Sequence, residues 1–137
     1  MPNSTHILVV EDNQIDQFLI RDAIQSLHAD IDLVFANDGA EAIELLETEN
    51  SPSLIVTDLK MPRINGIEFL SKVKTSDQRR IPVIMFTTSD SPDDIDAAYY
   101  NYVNAYIVKP LTSLSYKEVA RTIHKHWLEA VKLPVKH

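Results

Sequence analysis

Five short runs rich in valine and isoleucine punctuate the chain: His6 to Val10, Ile31 to Ala36, Ser53 to Thr57, Ile81 to Thr87 and Ala105 to Val108. Each is short, and its branched side chains suit a strand buried on both faces. Segments with helical spacing separate the runs. Ile15, Phe18, Leu19, Ala23 and Leu27 share one predicted helical face, and Ile67, Leu70 and Val73 share another. Asp38 to Glu47 forms a further helix with Ala42, Ile43 and Leu46 inward, while Ser91-Pro92 offers a capping residue followed by proline at the first helical position. The last helix is predicted to start near Ser115, with Glu118 placed as in a capping box, and to run through Val119, Ile123, Trp127 and Val131 until Pro134 stops it. Strand and helix therefore alternate with short connections, which a parallel sheet can accommodate only by crossovers. The predicted fold is α/β and doubly wound, a five-stranded parallel sheet with helices on both faces.

Composition narrows what such a fold does. A length of 137 residues with 45% apolar residues suits one domain around one core, so residues 1–137 are expected to form a single unit with an extended last helix, a short tail and no output domain. Twenty acidic against 13 basic residues leave a net charge of −7, which opposes attraction to nucleic acid or an anionic membrane surface, and neither is an expected partner. The absence of cysteine excludes disulfides, thiolate metal sites and thiol nucleophiles. The polar start MPNSTH lacks the pattern of a signal peptide and no run is long enough to span a bilayer, so the expected location is the cytoplasm.

In open parallel sheets ligands bind beyond the carboxyl ends of the strands. Those ends carry Glu11-Asp12, Asp58, Thr87-Thr88 and Lys109-Pro110, so carboxylates, a hydroxyl and an ammonium should converge. Crowded carboxylates repel unless a cation offsets them, and an oxygen-only ligand set suits Mg²⁺. With the metal in place one carboxylate can attack phosphorus while Mg²⁺ and Lys109 neutralise the phosphoryl oxygens. Asp58 is the best candidate because it stands alone at the end of the central strand, whereas the adjacent Glu11 and Asp12 are suited to holding metal directly and through water. Thr87 can then donate a hydrogen bond to the acquired phosphoryl group. Singly, each feature has a blander reading: Asp12 or Asn13 as a helix cap, Thr87 as branched strand packing, Lys109-Pro110 as a loop. Their joint occurrence at four strand ends favours the chemical reading.

The segments HILVVEDN, LIVTDLKMPRINGIEFL, IPVIMFTT and AYIVKP together resemble the receiver domain of two-component response regulators, a flavodoxin-like fold. The resemblance implies phosphorylation of Asp58 by the phosphohistidine of a sensor histidine kinase. It further implies Mg²⁺ on Glu11, Asp12, Asp58 and the backbone carbonyl of Lys60, with Lys109 on the phosphoryl group and Thr87 and Tyr106 as a switch pair. Pro62 and Gly66 match the turn before the third helix, where glycine would relieve a left-handed backbone, and the Lys109-Pro110 bond is cis in many relatives. NYVNAYIVKP and HWLEAVKLP resemble the small single-domain regulators that serve phytochrome-type kinases, which implies a homodimer. Asn104-Ala105 stands where many receivers have glycine. Lys60 and Thr88 occupy positions that tune phosphoryl lifetime, which predicts a longer-lived aspartyl phosphate.

All five tyrosines, Tyr99, Tyr100, Tyr102, Tyr106 and Tyr116, fall in the stretch that holds the fourth helix, the fifth strand and the start of the fifth helix, and aromatic rings favour interface centres. Trp127 and Leu128 either extend that apolar strip or pack into the core, and His124 and His126 read as positive charge near a helix C-terminus. The principal rival is a haloacid-dehalogenase-type phosphohydrolase with Asp58 as nucleophile, but its general acid would stand where this chain has Lys60. A flavin or nucleotide binder is disfavoured by only two glycines and no phosphate-cradling glycine loop.

Overall fold

A computed structural model describes residues 5–48 and 51–130. The elements run β1 (Thr5–Val10), α1 (Gln14–Gln25), β2 (Ile31–Ala36), α2 (Gly39–Leu46), β3 (Leu54–Thr57), α3 (Gly66–Lys74), β4 (Val83–Thr87), α4 (Pro92–Tyr100), β5 (Ala105–Val108) and α5 (Ser113–Ile123). All strand pairs are parallel and the five-stranded sheet has the order β2-β1-β3-β4-β5. The order reverses at β1, so β1 and β3 diverge to opposite halves of the sheet and leave a crevice at their carboxyl ends. Alternation along each strand feeds two cores. Leu8, Val10, Ile55, Val83 and Met85 face α2, α3 and α4, while Ile7, Val9, Val56, Ile84 and Phe86 face α1 and α5.

The predicted strands are present, with β4 beginning at Val83 because Pro82 has no N–H to give the ladder. The inward stripe of α1 differs from the expected one. Ile20, Ala23 and Ile24 are buried and Leu19 and Leu27 pack against the same cluster, but Ile15 and Phe18 are 70% and 62% exposed. At about 100° per residue, Ile15 and Phe18 fall opposite the face centred on Ile20, Ala23, Ile24 and Leu27, so the true stripe is rotated by roughly a quarter of a turn.

Of the two candidate caps of α1, Asn13 serves, its side chain accepting from the Asp16 N–H at 3.0 Å. Other helix ends depart from expectation. Thr112 caps α5, its hydroxyl accepting from the Ser115 N–H at 3.1 Å, so the helix starts at Ser113 rather than Ser115. Ser91 occupies the cap of α4 but makes no side-chain cap bond, and Pro92 follows at the first helical position. Past Ile123 the helix widens into a π-helical segment, His124–Ala130, from which Trp127 and Leu128 pack on the α1/α5 core rather than extending an exposed strip. Val131 and Pro134 lie outside the described residues. No peptide among the described residues is cis, so Lys109-Pro110 is trans here. Among the described residues no helix is long and apolar enough to cross a membrane.

The role expected of Gly66 is corrected as well. Neither described glycine has positive φ, and the left-handed residue of the β3–α3 loop is Arg63 at φ 64°. Gly66 is required by close approach, since a Cβ there would lie 2.2 Å from the Asp58 carbonyl oxygen. Gly39 plays the matching part across the loop: its Cβ would meet the Ile64 carbonyl oxygen at 2.7 Å. The chain has two glycines, and both seat the loop that leaves Asp58.

Candidate functional site

Three backbone hydrogen bonds carry the sheet ladder one step beyond the strand ends. The Glu11 N–H donates to Ala36 at 2.9 Å, the Asp58 N–H to Val10 at 2.9 Å and the Lys109 N–H to Thr87 at 2.7 Å. Each side chain at the crevice is thus held on a backbone that cannot slide relative to its neighbours. Ligand oxygens of Glu11, Asp12 and Asp58 all lie within 4.8 Å of one another, Glu11 buried, Asp58 half-buried and Asp12 exposed. The Asp58 Oδ1 accepts from the Leu59 N–H at 2.7 Å, which fixes its rotamer, and Glu11 Oε2 accepts from the Asn13 N–H at 3.1 Å.

Lys109 ties the carboxylates together. Its buried Nζ donates to Glu11 Oε1 at 2.6 Å, Asp16 Oδ2 at 2.9 Å and Asp58 Oδ2 at 3.1 Å. Burial alone would lower the lysine pKa, but the hydrogen bonds to Glu11 and Asp16 and the surrounding negative charge carry it above its ordinary value. Burial pushes Glu11 up to about 7 even though its bond to Lys109 pulls the other way. More negative charge than one ammonium can offset is the state that a hard divalent cation relieves, and an all-oxygen donor set fits Mg²⁺.

The other expected residues lie on β4, β5 and the loops that follow β3 and β4. Thr87 is buried at the end of β4, and its hydroxyl accepts from the Ser89 N–H at 3.4 Å. Tyr106, half-buried on β5, donates to the Ser89 carbonyl at 2.9 Å, so threonine and tyrosine both engage the same β4–α4 loop residue. That loop is itself fastened by Ser89 Oγ donating to Asp94 at 2.5 Å. The side chains of Lys60 and Thr88 are exposed.

Two features were missed in the sequence. Asp16 supplies a third carboxylate to Lys109, and its only sequence signal was an acidic residue in the first turn of the helix that follows Glu11-Asp12. Arg63 grips Asp38, the cap of α2, through Nε to Oδ2 at 2.7 Å and Nη2 to Oδ1 at 2.9 Å, and holds that carboxyl below the usual range. Nothing in the local sequence announces a pair 25 residues apart.

A carboxylate nest bridged by a buried lysine at a parallel-sheet switch point, with a threonine one strand away, suits a domain that accepts a phosphoryl group and changes its surface in response. The chain belongs to the family described as the response regulator receiver domain, whose model matches residues 7–121. It is therefore the phosphoacceptor module of a two-component system, and a histidine kinase is its class of partner. Response regulator Rcp1 of Synechocystis sp. is 37% identical over 135 residues, covering 93% of this chain and 92% of that protein. The structure of the phosphorylated cyanobacterial phytochrome response regulator RcpA matches with a TM-score of 0.90 at 33% identity, over 96% of this chain and 99% of that one. The Mn²⁺-bound form of Rcp1 matches with a TM-score of 0.87 at 33% identity and the same coverage, 96% and 99%. The acidic cluster of Glu11, Asp12 and Asp58 fits the Mg²⁺ site of a receiver domain.

Proposed function

We propose that Asp58 is the phosphoacceptor of a phytochrome-linked response regulator and that residues 1–137 work as a single receiver domain in the cytoplasm. The observation that carries this is the Lys109 ammonium 3.1 Å from Asp58 Oδ2, beside Glu11 and Asp12 oxygens within 4.8 Å. Glu11, Asp12, Asp58 and the Lys60 carbonyl would hold one Mg²⁺, which when bound neutralises the carboxylates and the phosphoryl oxygens. The Asp58 carboxylate attacks phosphorus, the P–N bond of the kinase phosphohistidine breaks, and its electron pair stays on the imidazole. Lys109 then loses a carboxylate acceptor at Asp58 and gains a phosphoryl oxygen. The Thr87 hydroxyl turns toward the same group, and Tyr106 follows through the Ser89 loop that both engage. Lys60 and Thr88, exposed beside the site, set access of water and hence the phosphoryl lifetime.

The change leaves through the α4–β5 face, where Tyr99, Tyr100 and Tyr102 are 51%, 85% and 75% exposed, and a second copy of the chain docks there. The phytochrome-type kinase is supported by the likeness to Rcp1 and RcpA. Incubation with acetyl phosphate should add one phosphoryl mass to the wild type in the presence of Mg²⁺, and nothing to Asp58→Asn or to metal-free protein. An equal mass gain in Asp58→Asn would refute the assignment. Light scattering that finds a monomer at micromolar concentration with and without a phosphoryl mimic would refute the dimer.

A further inference from the structure

A lysine ammonium has three N–H donors, and Lys109 spends them on three carboxylates, those of Glu11, Asp16 and Asp58. Only the Asp58 acceptor is altered when that carboxylate becomes an acyl phosphate. The bonds to Glu11 at 2.6 Å and Asp16 at 2.9 Å use acceptors that the acyl phosphate does not modify, and two held donors on a tetrahedral nitrogen determine where the third one points. With Glu11 alone, the ammonium could swing about a single contact.

Asp16 is itself placed from three directions. Its backbone N–H is capped by Asn13, and its position in the first turn of α1 is where a helix favours negative charge. Its Oδ1 accepts from the Tyr116 hydroxyl at 3.3 Å. Tyr116 is 5% exposed, packs edge-on to Phe86 with ring centres 5.6 Å apart, and has a hydroxyl pushed up to about 12 by burial and the Asp16 charge, so it remains a donor. Phe86 in turn precedes Thr87 on β4. A carboxylate used only as a helix-end charge would need neither the buried tyrosine nor the ammonium.

We propose that Asp16 is a positioning residue for phosphoryl transfer, holding the Lys109 ammonium so that its remaining donor meets the incoming phosphoryl oxygen; this rests on Asp58 being the acceptor. The reading opposes simple electrostatics. A fourth negative charge beside the site repels an anionic phosphodonor, so if charge alone mattered, removing Asp16 would speed the reaction.

The test is the second-order rate constant for phosphorylation by acetyl phosphate at saturating Mg²⁺, with the Mg²⁺ dissociation constant measured separately by calorimetry. Asp16→Ala should slow transfer about tenfold, the loss of one charge-assisted hydrogen bond that matters in the transition state, with Mg²⁺ affinity within about twofold of wild type. Asp16→Glu should recover part of the rate and Tyr116→Phe should lose less than Asp16→Ala. In a Lys109→Gln background, Asp16→Ala should have no further effect, because the two act as a unit. If Asp16→Ala folds poorly, Asp16→Asn serves, since its amide can still accept from Tyr116. A variant as fast as wild type or faster overturns the proposal, as does a slowing matched by a proportionate loss of Mg²⁺ affinity or an equal loss in the Lys109→Gln background. Failure of the wild type to be phosphorylated at Asp58 would instead strike the parent reading.

Discussion

Replacing Gly66 by alanine tests how the loop that leaves Asp58 is held. The added Cβ would lie 2.2 Å from the Asp58 carbonyl oxygen, 2.7 Å from Leu59 Cα and 3.0 Å from the Asp58 carbonyl carbon. These are backbone atoms, which cannot rotate out of the way, so the loop must retreat by about an ångström to restore ordinary contact. That shift breaks the 2.7 Å bond from the Gly66 N–H to Leu59 and drags the Asp58 peptide with it. Overpacking of this kind costs about 3 kcal/mol, against at most about 1 kcal/mol returned by the better helix propensity of alanine. With an unfolding entropy of about 2.1 cal/mol/K per residue, 137 residues give roughly 0.29 kcal/mol/K, so a net 2 to 3 kcal/mol lowers Tm by about 7 to 10 °C. Thermal melts followed by circular dichroism, with and without Mg²⁺, read the shift directly. At a temperature where the variant is still folded, its phosphorylation by acetyl phosphate should also be slower. A Gly66→Ala melt at or above the wild-type value would show that helix propensity wins and that the close approach is absorbed without strain.

Three further outcomes are expected. Phe69→Ala, which empties a fully buried position on α3, should cost about 3 to 5 kcal/mol in urea denaturation, and a midpoint near wild type would contradict its place in the core. Because burial raises Glu11 from 4.5 to about 7, the metal-free fold holds a proton there that the unfolded chain gives up earlier. This contribution is fully present below about pH 4.5 and is lost as pH rises through 7, so melts across that window should decline more steeply in wild type than in Glu11→Gln; parallel curves would refute it. Lys60→Asn should shorten the phosphoryl half-life with little change in Tm, and an unchanged decay time would remove Lys60 from lifetime control.

Much of the site was legible before any coordinates. Glu11, Asp12, Asp58, Thr87 and Lys109 each end a run whose composition marks a buried parallel strand, and parallel strands bring all their carboxyl ends to one edge. Strand periodicity and strand ends are local properties, so the sequence by itself determined the fold class and the cluster. Helical faces were less secure. Apolar residues on α1 satisfy two overlapping stripes, and only packing against α5 and the sheet buries Ile20 and Ile24 while leaving Ile15 and Phe18 outside.

What tertiary structure alone decided are relations between distant segments. Asp16 reaches Lys109 across 93 positions and Arg63 reaches Asp38 across 25, and neither partner carries a local mark of the other. Gly66 shows the same division in one residue. Its presence is plain in the sequence, but whether glycine serves a left-handed backbone or a missing Cβ depends on which atoms lie beside it, and here the carbonyl oxygen of Asp58 occupies that space. Secondary structure follows from short-range sterics and hydrophobic spacing that the chain states for itself. Contacts between its elements follow from how two cores close around the sheet, which no single segment encodes.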